Sequence, residues 1–260
     1  LIARKVRELS VFSKIYPYFV KKEELSDCDA LIFSGSPKSV LEENHPDVEA
    51  ELWDLDIPIL GICYGLQLIA KHYGGEVLGG KAEFGKVNLH ILKKTSKLFI
   101  DIPDNSIVWM SHGDYVYKIP EGFELTAETS SIKIAAIESV KLKRYGIQFH
   151  PEVYHSVYGT KVLENFLFNI ANAKKDCNLK NFVEEEIVNI KREIGSEKAI
   201  CGISGGIDST VSALLVHKAI GNNLKCVFVD HGLLRAHERE EVVEALSNLG
   251  LNLTVLDKKE

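Results

Sequence analysis

The chain has 260 residues, enough for one large or two ordinary domains with a well-buried core. Hydrophobic residues make up 45% of it and charged residues 26%, as in globular proteins, and a net charge of −6 without a lysine or arginine cluster argues against a nucleic-acid-binding protein. No apolar run approaches the roughly 20 residues of a membrane span, and five scattered cysteines without a C-x-x-C pair argue against a disulfide framework or a zinc cage and favour the cytoplasm.

Hydrophobic periodicity in the first two thirds of the chain predicts a mixed α/β domain. The predicted elements are a helix over 1–9, strands over 11–16 and 30–33, a helix over 47–55, a buried strand over 57–62 and a helix ending near 73. The pattern then becomes β-rich, with strands over 87–92, 107–110, 123–129, 134–138 and 144–149 and a closing helix over 157–171. We therefore expect a parallel sheet with an antiparallel section, flanked by helices.

The last third of the chain predicts a second α/β domain. Residues 173–181 are polar and are the best candidate for a linker between domains 1–172 and 182–260. The elements beyond it are helices over 182–194, 208–220 and 236–249, alternating with strands over 198–203, 224–229 and 252–256. This βαβαβ alternation is typical of a parallel sheet. Because the chain opens inside an apparent helix and stops soon after a strand, we expect it to be a piece of a longer protein.

A cysteine stands where the buried strand over 57–62 meets the following helical pattern. Gly61 and Gly65 lie two residues either side of Cys63. A side chain lifted on a sharp strand-to-helix turn leaves little room for a Cβ at those two positions. The positive end of the helix also favours the thiolate over the thiol. We predict an exposed nucleophile at Cys63, the alternative being a buried structural cysteine.

A base and an acid for this cysteine stand at the end of a later strand. A cysteine nucleophile needs a base, and a third group that holds the base in the correct tautomer. His150 and Glu152 are two residues apart at the carboxyl end of the strand over 144–149, the edge at which α/β sheets place their sites. We therefore predict a triad of Cys63, His150 and Glu152.

These residues give the first domain a family resemblance. Residues 1–172 resemble the class I (triad) glutamine amidotransferases, whose two signatures match GICYGLQ at 61–67 and HPE at 150–152. The resemblance implies that Cys63 attacks the carboxamide of glutamine. It also implies that His150 protonates the leaving ammonia and then activates water, and that Glu152 orients His150.

The same resemblance implies positions for the oxyanion and for glutamine. Backbone N–H groups near Gly35, Ser36 and Tyr64 are expected to face the oxyanion, although the family usually has a glycine where Ser36 stands. The residues that look like the glutamine-holding set are Gln67, Ser111, His112, Gly113 and Asp114, with Asp114 suited to the α-ammonium group. Read alone, the segment 111–114 is an ordinary polar loop. The segment Glu83-Phe84-Gly85 also resembles the family, and no role follows for it.

A second candidate site follows the strand over 198–203. The turn is formed by Ser204, Gly205, Gly206, Ile207, Asp208, Ser209 and Thr210, and a helix comes after it. Glycines at such a turn let backbone N–H groups converge on a phosphate, and the helix N-terminus adds to the attraction. The Walker pattern is absent, and an acid at Asp208 beside phosphates indicates Mg²⁺. The alternative is a glycine turn capped by Ser204.

The second domain also has a family resemblance. Its turn resembles the pyrophosphate loop of the N-type ATP pyrophosphatases, which cleave ATP to AMP and pyrophosphate while adenylylating an oxygen. The segment 227–235 looks like the adenine-side segment of that family, which implies a backbone contact at Val229. His231 stands where the family usually has asparagine, and its role is left open.

The order of the two regions is similar to that of the glutamine-hydrolysing GMP synthetases. This implies a ligase that uses glutamine, ATP with Mg²⁺ and XMP, and a cytoplasmic homodimer formed through a C-terminal domain. By comparison, we expect the opening strand and the C-terminal part of the family to be missing from these 260 residues. Two alternatives stay open: a glutamine-dependent amidotransferase with another acceptor, and a catalytically inert regulatory chain, for which Ser36 is the only support.

Overall fold

The computed structural model describes residues 1–177, 179–235 and 237–258. The chain divides into two compact units, Leu1–Asp176 and Cys177–Glu260. None of the helices in the described ranges is both long enough and apolar enough to cross a bilayer.

A seven-stranded mixed sheet forms the centre of the first unit. Its strands are β1 (Leu31–Phe33), β2 (Ile59–Ile62), β3 (Glu76–Ile91), β4 (Ser106–Lys118), β5 (Glu124–Glu128), β6 (Ala136–Ser139) and β7 (Arg144–Ile147), in the spatial order β1-β2-β7-β6-β5-β3-β4. β1, β2 and β7 are parallel, and the remaining pairs are antiparallel. The predicted parallel sheet with an antiparallel section is confirmed.

Helices cover the sheet of the first unit. They are α1 (Ile2–Glu8), α2 (Tyr64–His72) and α3 (Gly159–Glu164), the last continued by a π-helix over Asn165–Ile170. Alternate residues of β2 enter two different cores, because successive side chains of a strand point to opposite faces. Ile59 packs with Leu66 of α2, whereas Leu60 and Ile62 pack with residues of α3 and the π-helix, such as Phe166. The strand that carries the cysteine is therefore buried on both faces.

The second unit is a parallel α/β unit. In chain order it contains α4 (Leu179–Ile194), β8 (Ala199–Ile203), α5 (Ile207–Ile220), β9 (Leu224–Asp230), α6 (Glu238–Asn248) and β10 (Leu253–Asp257). The three strands lie in the order β10-β9-β8, and both pairs are parallel. The predicted alternation of helices and strands is confirmed. The residue at which α6 was predicted to begin, Ala236, lies outside the described residues.

Two predicted elements of the first unit are wrong. The segment 11–16 contains no strand; its Val11 N–H closes the end of α1 on the Val6 carbonyl, and the Arg7 guanidinium donates to the Ser13 carbonyl. The helix predicted over 47–55 is reduced to a 3₁₀ turn over Ala50–Asp54. The carbonyls of Trp53 and of the capping residue Leu55 accept hydrogen bonds from the buried guanidinium of Arg144 instead of from a further helical turn.

Candidate active sites

The turn between β2 and α2 has the geometry of a nucleophile elbow. Cys63 lies at φ 54° and ψ −103°, in the strained left-handed half of backbone space, which costs a non-glycine residue on the order of 1–3 kcal/mol. A Cβ on Gly61 would overlap the Gly65 carbonyl, and a Cβ on Gly65 would overlap the Phe33 carbonyl. Both glycines are therefore required by close backbone packing, as the sequence predicted.

The Cys63 thiol is more enclosed than predicted. Only 5% of the residue is exposed, so the expectation of an exposed thiol is wrong. Gln148 Nε2 lies 3.5 Å from the sulfur, and the sulfur lies 3.7 Å from the Ser111 carbonyl oxygen. The Cys63 N–H donates to the Ile147 carbonyl at 2.8 Å, which continues the ladder between β2 and β7. The thiol is thus held inside a polar pocket formed by three strands.

The His150 ring is held from several sides. Its Nδ1 lies 2.8 Å from Glu152 Oε1. The main chain of the residue is held as well, because the backbone N–H of His150 donates to the Trp109 carbonyl at 2.9 Å and its backbone carbonyl accepts from Ser156 Oγ at 2.6 Å. A Cβ added to Gly35 would lie 3.1 Å from the ring carbon Cε1. The imidazole therefore lies under the loop that follows β1, with its orientation fixed by Glu152.

Electrostatics favours the charged form of His150. Burial disfavours the imidazolium, but hydrogen bonds with the Cys63 sulfur and with the Glu152 carboxylate outweigh it and raise the pKa of His150 to about 10. The ring is consequently protonated at neutral pH. The structure thus brings the three predicted triad residues together, with one positive ring between two groups that can carry negative charge.

The predicted oxyanion loop lies beside this pair. A Cβ on Gly35 would be 3.9 Å from the Cys63 Cβ. Ser36 does not have a left-handed backbone, and its Oγ accepts a hydrogen bond from the Lys38 N–H at 3.1 Å. The serine is therefore accommodated without the conformation that requires glycine. Tyr64 follows Cys63 as the first residue of α2.

The predicted glutamine-holding residues lie along one strand and the start of α2. Ser111, His112, Gly113 and Asp114 lie inside β4, so the interpretation of this segment as a loop is wrong. The buried Gln67 donates from Nε2 to the Asp114 carbonyl at 2.9 Å. Asp114 faces Gly79 of β3, where a Cβ would come within 3.2 Å of Asp114 Oδ1. The missing side chain at position 79 leaves room for the carboxylate.

Two residues that contact the site were missed in the sequence. Gln148 is fully buried with its amide beside the sulfur. Ser156 joins β4 to the segment that follows β7, by accepting from the Trp109 N–H at 3.0 Å and donating to the His150 carbonyl. Gln148 stands two residues before His150, and positions i and i+2 of an extended chain share a face. That spacing could have indicated Gln148. No local pattern indicates Ser156.

The second candidate site is the turn between β8 and α5. The residues predicted for it, Ser204, Gly205, Gly206, Ile207, Asp208, Ser209 and Thr210, form the turn and the first helical turn of α5. Gly205 has φ +81° and is packed against Val242. Ser209 Oγ and Thr210 Oγ1 donate to the Gly206 carbonyl at 3.1 and 2.9 Å, which holds the turn in shape.

Val229 and Asp208 lie near the same carboxyl edge of the second sheet. Val229 is the next-to-last residue of β9, which pairs in parallel with β8. Asp208 is exposed in the first turn of α5. Among the described residues, no group of three or more His, Cys, Asp or Glu side chains could hold a metal ion. A single carboxylate beside a phosphate turn nevertheless suits Mg²⁺, which is usually held by one or two carboxylates together with substrate phosphates.

Both units match known families. Residues 1–170 match the family model "Glutamine amidotransferase class-I", and residues 177–260 match that of "NAD synthase". The first of these matches covers more than half of the chain.

Curated relatives match both units together. The "GMP synthase [glutamine-hydrolyzing]" of Chlorobaculum tepidum is 50% identical over 266 aligned residues, which cover 99% of this chain and 51% of the relative. The protein of the same name from Caldicellulosiruptor saccharolyticus is 48% identical over 265 residues, which cover 100% of this chain and 52% of the relative. The chain thus spans about half the length of the curated relatives it matches.

A solved structure resembles the first unit. It is that of a Thermoplasma acidophilum protein provisionally assigned as one subunit of a GMP synthase, with a TM-score of 0.57 and 32% identity. The similarity covers 65% of this chain and 86% of that one.

Proposed function

The chain belongs to the class I glutamine amidotransferase family, and we propose that it forms the glutaminase and part of the ATP site of a glutamine-hydrolysing GMP synthase. The observation that carries the proposal is the strained Cys63 elbow beside the charged His150–Glu152 pair, in one chain with the Ser204–Thr210 turn. The 48–50% identity to enzymes of that name supports the choice of reaction.

In the first half-reaction the Cys63 thiolate attacks the carboxamide carbon of glutamine. The oxyanion is received by backbone N–H groups of Gly35, Ser36 and Tyr64, which stabilise the charge that develops in the transition state. His150 gives its proton to the departing nitrogen, so that ammonia leaves and a thioester remains on Cys63. His150 then takes a proton from water, whose oxygen displaces the thiolate and releases glutamate.

The electrostatics of the site supports this cycle. The high pKa of His150 depends on hydrogen bonds with Cys63 and Glu152. Forming the thioester removes the charge on sulfur, and therefore lowers the proton affinity of His150 at the step where the proton must be given away. Hydrolysis restores the thiolate, and the ring regains its proton. Glu152 keeps Nδ1 oriented throughout.

The substrate glutamine is held next to the sulfur. We assign its α-ammonium group to the Asp114 carboxylate, which has no hydrogen bond or ion pair with any other described side chain. Gln67 anchors the Asp114 peptide, and Ser111, His112 and Gly113 complete the wall that β4 presents to the thiol. A charged contact to the α-ammonium selects a free amino acid over a carboxamide within a protein.

In the second half-reaction ATP binds at the carboxyl edge of the second sheet. The backbone N–H groups of residues 204–210 cradle its phosphates, and the Val229 backbone contacts adenine. A carbonyl-type oxygen of XMP attacks the α-phosphorus, pyrophosphate leaves, and ammonia then displaces AMP to give GMP. Asp208 would hold Mg²⁺, which when bound offsets the negative charge of the phosphates.

The proposal includes a cytoplasmic location and a homodimer. All five cysteines are free, as in proteins of a reducing cytoplasm. We assign homodimerisation and the XMP site to residues outside these 260, since the resemblance to the family places both there.

The test uses the full-length protein and a cysteine substitution. With glutamine, Mg-ATP and XMP it should release GMP, AMP and pyrophosphate in equal amounts. Cys63→Ala should abolish synthesis from glutamine but leave synthesis from added ammonia within about twofold, because the thiol serves only the first half-reaction. Cys28→Ala, which changes another free cysteine, should leave both activities intact.

Two outcomes would contradict the proposal. AMP release that depends on an acceptor other than XMP would make the protein a different amidotransferase. A Cys63 that is not labelled by a diazoketone analogue of glutamine would support an inert chain.

A further inference from the structure

A buried pair of polar atoms lies beside the glutamine site without a hydrogen bond. Glu83 of β3 and His112 of β4 are opposite each other in the antiparallel register. Their side chains are 7% and 1% exposed, and Glu83 Oε2 is 3.6 Å from His112 Nε2. Within the described part of the chain neither atom has a hydrogen-bond partner. Buried polar atoms almost always have one, so the pair requires an explanation.

The tautomer of His112 indicates what lies between the two atoms. His112 Nδ1 is 2.9 Å from the Asp114 carbonyl oxygen, which can only accept, so Nδ1 carries a proton. In a neutral ring Nε2 is then an acceptor, and it faces a carboxylate oxygen that is also an acceptor. Two acceptors in a buried pocket repel each other unless a proton lies between them. One proton shared between the two atoms would remove this repulsion.

The charges around His112 are consistent with sharing. The pKa of His112 is lowered, chiefly by burial, although its hydrogen bond to the Asp114 carbonyl and the nearby Glu83 act in the opposite direction. The positive His150 also disfavours a second positive ring. A positive charge on His112 is thus disfavoured both by burial and by the positive His150, and the Glu83 carboxylate is the side chain that favours it.

The pair is connected to the residues that hold glutamine. The Asp114 carbonyl accepts from His112 Nδ1 and also from Gln67 Nε2 at 2.9 Å. Gln67 lies on α2, one turn after Cys63. Glu83 is the first paired residue after an irregular stretch of β3 between Gly79 and Glu83, and its Oε1 accepts from Thr129 Oγ1 at 3.4 Å. A fixed Glu83 therefore fixes the strand that carries Asp114.

We propose that Glu83 is a positioning residue of the glutamine site, which shares one proton between its Oε2 and His112 Nε2 and thereby holds the Asp114 peptide in place. The inference rests on the proposed function, because the glutamine site is assigned there. It also gives a role to the Glu83-Phe84-Gly85 segment, for which the sequence indicated none.

The test compares Glu83→Gln, which can donate N–H to Nε2, with Glu83→Met, which keeps the length and cannot. Labelling of Cys63 by the diazoketone glutamine analogue gives a half-saturating concentration and a maximal rate. Glu83→Met should raise the half-saturating concentration about tenfold with the maximal rate within about twofold, and Glu83→Gln should stay within about threefold of wild type. Glu76→Gln, an exposed glutamate of the same strand, is the matched control.

A second measurement reads the pair directly. In ¹⁵N-histidine spectra of the wild type, Nδ1 of His112 should be protonated and Nε2 hydrogen-bonded, and in Glu83→Met the Nε2 signal should move to that of a free acceptor nitrogen. A free Nε2 in the wild type, or equal analogue affinity in all variants, overturns the proposal. A wild type that is not labelled at Cys63 contradicts the proposed function instead, and the nitrogen spectrum still decides the pairing.

Discussion

The proton on His150 is the most informative single feature of the site. The pKa of this ring is raised to about 10 although burial acts against the charge, because the Cys63 sulfur and the Glu152 carboxylate both hydrogen-bond to it. A pKa above the ordinary value of about 6.5 means that the folded protein holds this proton more tightly than the unfolded chain. The resulting stability is fully present below pH ~6.5 and is lost as the pH rises through about 10.

Removing the charge of Glu152 should lower the pKa of His150. In Glu152→Gln the midpoint of the His150 ring-proton signal in an NMR titration should fall below the wild-type value of about 10, because only the sulfur still favours the imidazolium. The pH at which unfolding free energy declines should fall with it. Glu121→Gln, which changes an exposed glutamate outside the triad, should change neither. An unchanged midpoint in Glu152→Gln would exclude the proposed role of Glu152.

Residue types and spacing predicted the candidate reacting groups but not the residues that contact them. Cys63, His150 and Glu152 were identified because each stands at the end of a predicted strand in a recognisable local pattern. Ser156 and Glu83 act through partners on other strands, at sequence separations of 47 and 29 residues from Trp109 and His112. Such contacts depend on sheet order and register, which no local pattern specifies.

At the scale of elements, the elbow exists because three chain segments approach without side chains between them. β1, β2 and α2 meet where Gly61 and Gly65 leave only backbone in contact. The sequence predicted this turn, since the glycines carry the signal. It did not predict that β3 and β4 form one long ribbon of 16 and 13 residues, because glycines and polar residues interrupt the apolar pattern over 76–86 and 111–118.

A methyl group at position 65 should disrupt the elbow. Alanine normally favours a helix over glycine by about 1 kcal/mol, but in Gly65→Ala the new Cβ overlaps the Phe33 carbonyl, and the net loss should be about 2–4 kcal/mol of unfolding free energy. Urea unfolding gives the stability, and the rate of Cys63 alkylation should fall as well. In Gly202→Ala, where the Cβ has open space, the change should stay within about 1 kcal/mol. Equal stability of the two variants would show that α2 can move away from β1.

At the scale of the whole molecule, the two candidate sites lie in different units. Cys63, His150 and Glu152 lie in Leu1–Asp176 together with their hydrogen-bond partners Ser111 and Gln148, and the turn over 204–210 lies in Cys177–Glu260. Among the described residues, the second unit has one small cluster of buried hydrophobic side chains, whereas the first unit has three, two of them much larger. Burial of apolar area is the main favourable contribution to folding. The first unit therefore has the better prospect of folding alone.

A chain ended after Asp176 should keep its reactive cysteine. We expect residues 1–176 to unfold cooperatively, and their Cys63 to be labelled by the diazoketone analogue within about twofold of the rate in the 260-residue chain. Residues 177–260 alone serve as the comparison and should show no cooperative transition and no labelling. Loss of labelling in residues 1–176 would mean that the second unit contributes to the thiol environment.

The pairing of β2 with β7 has a consequence for which amino-acid substitutions the site can tolerate. Ile62 and Ile147 are partners in the ladder, and the Cys63 N–H continues it to the Ile147 carbonyl. Cys63 is the first residue after β2 and His150 the third after β7, so the main-chain bonds between these two strands help to set the separation of the sulfur and the imidazole. Substitutions in the surrounding helices and loops that leave the pairing of β2 with β7 intact should therefore leave the distance between the Cys63 sulfur and the His150 ring unchanged.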